Sequence, residues 1–124
     1  MDKKRILIID DENNLTKITK RNLEGTGKYE VRTENGGSQG IAAAKEFKPN
    51  LILLDVLMPG MDGGDVAYQL SNNKDTKNIP IVFLTAVVNK SEAETSGNVI
   101  ANHVFIAKPV DIEELIAVIE KWAR

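Results

Sequence analysis

Leu51 to Gly63 reads LILLDVLMPGMDG, and this stretch decides the fold. Four aliphatic residues stop at an acid, Asp55; Pro59, Gly60 and the Asp62-Gly63 pair follow. An aliphatic run without alternation predicts a strand covered on both faces, as in a parallel sheet between helices. An ionised carboxylate at the end of that strand belongs at the sheet rim, because burying it unpaired is expensive. The carboxyl ends of parallel strands are where open α/β sheets bind ligands. Asp55 is therefore the first candidate for the reactive group.

Other stretches repeat the form. Arg5–Ile9 (RILII) runs into Asp10 and Asp11, Ile79–Thr85 reads IPIVFLT, and His103–Ala107 (HVFIA) is closed by Lys108-Pro109. Tyr29–Thr33 is a shorter strand. Helical signals lie between them. One begins within Asp11–Asn14 and stops near Gly25, one covers Ser38–Phe47, and one covers Asp65–Leu70. A short or irregular helix is expected over Asn89–Asn102. The last helix opens with Asp111 and Glu114 spaced as a capping box and carries Ile112, Leu115, Ile116, Ile119 and Trp122 as one apolar stripe. The order predicts an α/β fold: (βα)₅, a doubly wound five-stranded parallel sheet, with residues 1–124 as one domain.

Composition removes several function classes. A formal net charge of −2 supplies no basic footprint for direct nucleic-acid binding. Cysteine is absent, which excludes thiol nucleophiles, disulfides and Cys-based zinc sites. His103 is the one histidine and cannot build a multi-histidine metal site. No apolar run reaches the ~18 residues of a membrane span, and no signal-peptide core opens the chain. A cytoplasmic location without membrane association is expected.

Four strand ends carry polar residues in aliphatic surroundings: Asp10-Asp11, Asp55, Thr85 and Lys108. In the flavodoxin-like strand order 2-1-3-4-5, strands one and three are neighbours. Three carboxylates would then share one rim and repel unless a cation joins them. Oxygen-only ligands suit Mg²⁺ or a similar divalent cation such as Mn²⁺. With a hydroxyl from Thr85 and an ammonium from Lys108, the set suits an anionic phosphoryl group in transfer to a carboxylate. Taken singly the residues are mundane: Thr85 has ordinary β-propensity, Phe105 reads as core, and Asp10-Asp11 complements a helix dipole. Their coincidence carries the functional reading.

Asp10-Asp11, Asp55 within DVLMPGMDG, Thr85-Ala86, Phe105 and Lys108-Pro109 together resemble the receiver domain of two-component response regulators. The resemblance covers essentially the whole chain. It implies that Asp55 accepts the phosphoryl group and that Asp10, Asp11, Asp55 and the main-chain carbonyl of Leu57 hold Mg²⁺. It also implies that Thr85 and Lys108 contact the phosphoryl oxygens, that Thr85 and Phe105 form a switch pair, and that the Lys108–Pro109 peptide is cis. The donor would be a sensor histidine kinase or a phosphotransfer protein. The output, felt at the face of the fourth and fifth strands, would be a partner or output domain, with phosphorylation-dependent dimerisation open. Leu57 and Val87 stand two residues beyond Asp55 and Thr85. In receivers these positions flank the path of the attacking water, and two apolar residues there predict slow self-dephosphorylation.

Two competing readings are weaker. An aspartate-nucleophile phosphohydrolase needs an acid two residues after the nucleophile, and Leu57 occupies that place. A fold that works by binding alone has no use for a complete acid, hydroxyl and lysine set. The expected function is a signalling switch rather than an enzyme.

Overall fold

A computed structural model of the chain describes residues 2–86, 99–100 and 103–124. The strands are β1 (Lys4–Ile9), β2 (Tyr29–Glu34), β3 (Leu51–Asp55), β4 (Ile81–Thr85), β5 (Val99–Ile100) and β6 (His103–Ala107). The helices among the described residues are α1 (Asn13–Glu24), α2 (Gly37–Phe47), α3 (Gly63–Ser71) and α4 (Ile112–Trp122).

One sheet runs in the order β2-β1-β3-β4-β6-β5. The five long strands are parallel and follow the expected order. β5 adds a two-residue antiparallel edge, with Val99 opposite Val104 and Ile100 opposite His103. Most of the segment expected as an irregular helix, 89–102, lies outside the described residues, but Val99 and Ile100 are strand. Both are β-branched, and pairing them shields part of the open edge of β6.

The unbroken aliphatic runs are explained by two cores. Ile6, Ile8, Leu51 and Leu53 point to one face, where Leu23 of α1 and Leu115, Val118 and Ile119 of α4 cover them. Leu7, Ile9, Ile52 and Leu54 point to the other, against Ala43 and Ala44 of α2 and Val66 and Leu70 of α3. Alternate residues of one strand thus enter opposite cores, and no position is left for a polar side chain until the strand ends.

Two helix starts are fixed by side chains near the rim. Asp62 accepts the Asp65 N–H at 3.0 Å, and Asp111 accepts the Glu113 N–H at 3.0 Å. α3 begins two residues before the expected Asp65 because Gly63 folds back on the end of β3. Its N–H donates to the Val56 carbonyl at 2.8 Å. A Cβ on Gly63 would stand 2.2 Å from the Asp55 carbonyl oxygen. Only glycine permits that approach, and it fixes the loop that walls the rim at Asp55. Gly63→Ala should therefore destabilise the chain by about 3 kcal/mol, the upper range for overpacking, because the clash is with backbone. Urea unfolding checks this; a loss under 0.5 kcal/mol, the level of an ordinary surface change, would contradict it.

Candidate functional site

Each central strand delivers one polar group to the same rim. Asp10 follows β1; its N–H donates to the Glu34 carbonyl at 3.1 Å, and the residue is fully buried. Its backbone is held from both sides, since Asn35 Nδ2 donates to the Asp10 carbonyl at 2.7 Å. Its Oδ1 accepts the Glu12 N–H at 2.9 Å. Asp55 closes β3 and is also buried. Carboxylate oxygens of Asp10, Asp11 and Asp55 lie within 4.8 Å of one another.

Lys108 reaches this cluster from the loop after β6. Its Nζ stands 2.7 Å from Glu12 Oε1, 2.9 Å from Asp10 Oδ2 and 3.5 Å from Asp55 Oδ1. The backbone places it firmly: the Lys108 N–H donates to the Thr85 carbonyl at 2.9 Å, and the Lys108–Pro109 peptide is cis. Thr85, buried at the end of β4, pairs with Ala107 across the ladder.

Burial pushes the Asp55 carboxyl up to about 6, and the negative charge of Asp10 adds to the rise. The Lys108 ammonium opposes it, a side-chain hydrogen bond with Asp11 favours it, and the Leu57 N–H opposes it. Burial works to lower the Lys108 value, but its contacts with Glu12 and Asp10 outweigh this and hold it above the ordinary lysine range. The ammonium therefore stays charged.

The cluster fits a hard cation. Three carboxylates face one ammonium, so negative charge is in surplus. Asp10 Oδ2 is buried and accepts no well-directed hydrogen bond; the lysine at 2.9 Å is an ion pair only. Oxygen-only donors carrying surplus negative charge suit a hard divalent cation, and Asp10, Asp11 and Asp55 could hold one.

Asp10, Asp11, Asp55 and Lys108 thus meet at one rim, with Thr85 on the adjoining strand end. Phe105 is set back in β6, its ring stacked on Phe83 at 5.3 Å between centroids. The register pairs Phe83 with Phe105 and Thr85 with Ala107, so Thr85 and Phe105 share a face. The Leu57 side chain is 61% exposed beyond Asp55. Val87 lies outside the described residues. Two residues were not marked by sequence: Glu12, which reads locally as a helix start, and Asn35, which reads as a turn.

The family of response regulator receiver domains matches residues 6–120. The chain belongs to this family. Members are phosphorylation-based signalling switches rather than classical enzymes. The chain is 36% identical over 123 residues to the DNA-binding dual master transcriptional regulator RpaA of Synechocystis, covering 97% of this chain and 49% of RpaA. It therefore spans about half the length of that relative. It is 34% identical over 116 residues to protein PilH of Pseudomonas aeruginosa, covering 93% of each. Two solved structures have the same fold: Vibrio cholerae chemotaxis protein CheY4, with a TM-score of 0.82, and the receiver domain of a Pseudomonas aeruginosa sensor histidine kinase, solved with a magnesium ion in its active-site cleft, with a TM-score of 0.80. Each is 24% identical to this chain and covers 98% of it; the match spans 99% of the CheY4 chain and 98% of the kinase receiver.

The raised Asp55 value has a consequence for stability. Its folded value, about 6, lies above the ~3.9 of an unfolded chain. The folded state therefore binds the proton more tightly, and the ionised group destabilises it fully above pH ~6 and not at all below pH ~4. Metal-free Asp55→Asn should be more stable than the parent at pH 7.5 by on the order of 1–3 kcal/mol. The advantage should shrink as the pH falls from 6 to 4. Thermal melts of both chains across that range test it, and an advantage that grows on acidification would contradict it.

Proposed function

We propose that this receiver takes a phosphoryl group on Asp55 from a histidine kinase or phosphotransfer protein. What carries the reading is the Lys108 ammonium among Asp10, Asp55 and Glu12 at the rim where β1, β3 and β4 end. In this reading Asp10, Asp11, Asp55 and the Leu57 carbonyl hold Mg²⁺ or Mn²⁺. Such an ion, when bound, neutralises charge on the phosphoryl oxygens.

The chain's own residues do the rest. An Asp55 carboxylate oxygen forms a bond to phosphorus as the donor's P–N bond breaks, the electron pair returning to the donor imidazole. Lys108 donates to one phosphoryl oxygen from a position its backbone already fixes. The Thr85 hydroxyl donates to another, and its shift toward the phosphoryl group draws the Phe105 ring inward along the face they share. The result is a change at the β4–β6 face, felt by a partner or an output domain. Whatever the output, the switch operates in the cytoplasm in this reading, where such kinases present their phosphohistidine.

Incubation with acetyl phosphate and Mg²⁺ should add one phosphoryl group per chain, and Asp55→Asn should add none. No incorporation into the parent would contradict the proposal. The lifetime is set by the apolar pair Leu57 and Val87, which cannot orient water. The double variant Leu57→Asn, Val87→Glu should lose the phosphoryl group at least several-fold faster, since a positioned polar group that handles the attacking water's proton contributes on the order of a hundredfold or more. An unchanged or longer lifetime would contradict that part.

A further inference from the structure

Glu12 has no part in the phosphoryl chemistry above, yet it makes the shortest polar contact to Lys108. Its Oε1 is 2.7 Å from Nζ, against 2.9 Å for Asp10 and 3.5 Å for Asp55. Three carboxylates thus surround an ammonium that has three N–H donors. They differ in freedom. Asp10 is buried and tied through both its N–H and its carbonyl. Asp55 ends a buried strand. The Glu12 side chain is 60% exposed, so it can pass into water while the other two cannot.

Glu12 also has somewhere to go. It is the N-cap residue of α1, but its side chain caps no N–H there, and no other acid stands in the first turn. The open N–H groups of that turn favour a carboxylate beside them. The side chain therefore has two seats, one on Lys108 and one at the start of α1, and it occupies the first.

We propose that Glu12 is a latch on Lys108: in the unphosphorylated chain it holds the lysine donor that a phosphoryl oxygen on Asp55 later takes, and loading displaces it. This rests on Asp55 as the acceptor. The latch opposes loading in two ways, by occupying the donor and by placing negative charge in the path of an anionic phosphodonor. It also carries the signal to a second face. Glu12 and Lys108 line a groove of about 470 Å³ with Leu15, Ala86, Pro109 and Val110. Loading would free a carboxylate on that groove, away from the Phe105 side of the sheet.

Loading from acetyl phosphate at saturating Mg²⁺ tests the latch. There an Asp55 oxygen bonds to phosphorus as the bond to acetate breaks, acetate leaving with the electron pair. Glu12→Gln keeps the shape and loses the charge. Glu12→Asp keeps the charge, but its arm is one methylene too short to stay on Lys108. Both should load roughly 3- to 10-fold faster than the parent, a modest charge effect at a partly solvated site. For Glu12→Gln the gain should shrink with added salt. In the parent, the side-chain carboxyl ¹³C resonance of Glu12 should move on loading. Parent-like rates in both variants, or an unmoved resonance, would overturn the latch. Faster loading in Glu12→Gln with a parent-like rate in Glu12→Asp would also overturn it, leaving only a charge effect. If the parent itself does not load, the acceptor reading fails and takes the latch with it; if the parent loads and the variants match it, the latch alone fails.

Discussion

The rim is organised by one partly buried ammonium placed among carboxylates. Without Lys108, the charge of Asp10 would raise the cost of ionising the buried Asp55 beside it with less to oppose it. With it, charge is balanced only in part, because Glu12 and Asp11 stand at the same rim. The shortfall is the useful quantity. It leaves the Asp55 value raised to about 6 and leaves a buried Asp10 oxygen held only by its ion pair with Lys108. In the proposed function, a cation and a phosphoryl group complete the charge balance that the protein leaves open.

The fold exists to deliver that arrangement at fixed distances. Strands buried on both faces cannot drift, since a slip of one residue would turn every aliphatic side chain into the wrong core. Their polar residues therefore arrive at the rim in register. Lys108 is tied to Thr85 through the backbone, and Asp10 is tied to both Glu34 and Asn35. Asn50 does similar work at the opposite end of the sheet. Its side-chain oxygen accepts the Arg5 N–H at 2.7 Å, and its carbonyl accepts the Arg124 N–H at 3.1 Å. Rigid strands carry the buried polar groups of the rim, and exposed side chains such as Glu12 and Leu57 are left to adjust.

Much of this was legible in the sequence because it is written locally. Leu51–Asp55 shows in five residues both the double burial and the acid at the rim. Asp10, Thr85 and Lys108 stand where their own aliphatic runs stop. What was not legible depends on residues that meet only in space. Glu12 and Lys108 are 96 positions apart, and no spacing rule joins them. The start of α3 at Gly63 is masked in the sequence because two glycines are poor helix formers, while the need for Gly63 comes from the Asp55 carbonyl beneath it. Phe83 carried no mark of its own; its stack on Phe105 follows from the register of β4 with β6. The edge strand β5 is too short to announce itself by periodicity.

The most direct test is a crystal structure of the chain grown with Mg²⁺ and beryllofluoride, a stable phosphoryl mimic. The expected result is beryllium bonded to an Asp55 carboxylate oxygen, with the Thr85 hydroxyl and Lys108 Nζ on its fluorides. Beryllofluoride absent from Asp55, or seated there without Lys108, would contradict the central claim that this ammonium and this carboxylate form one phosphoryl site.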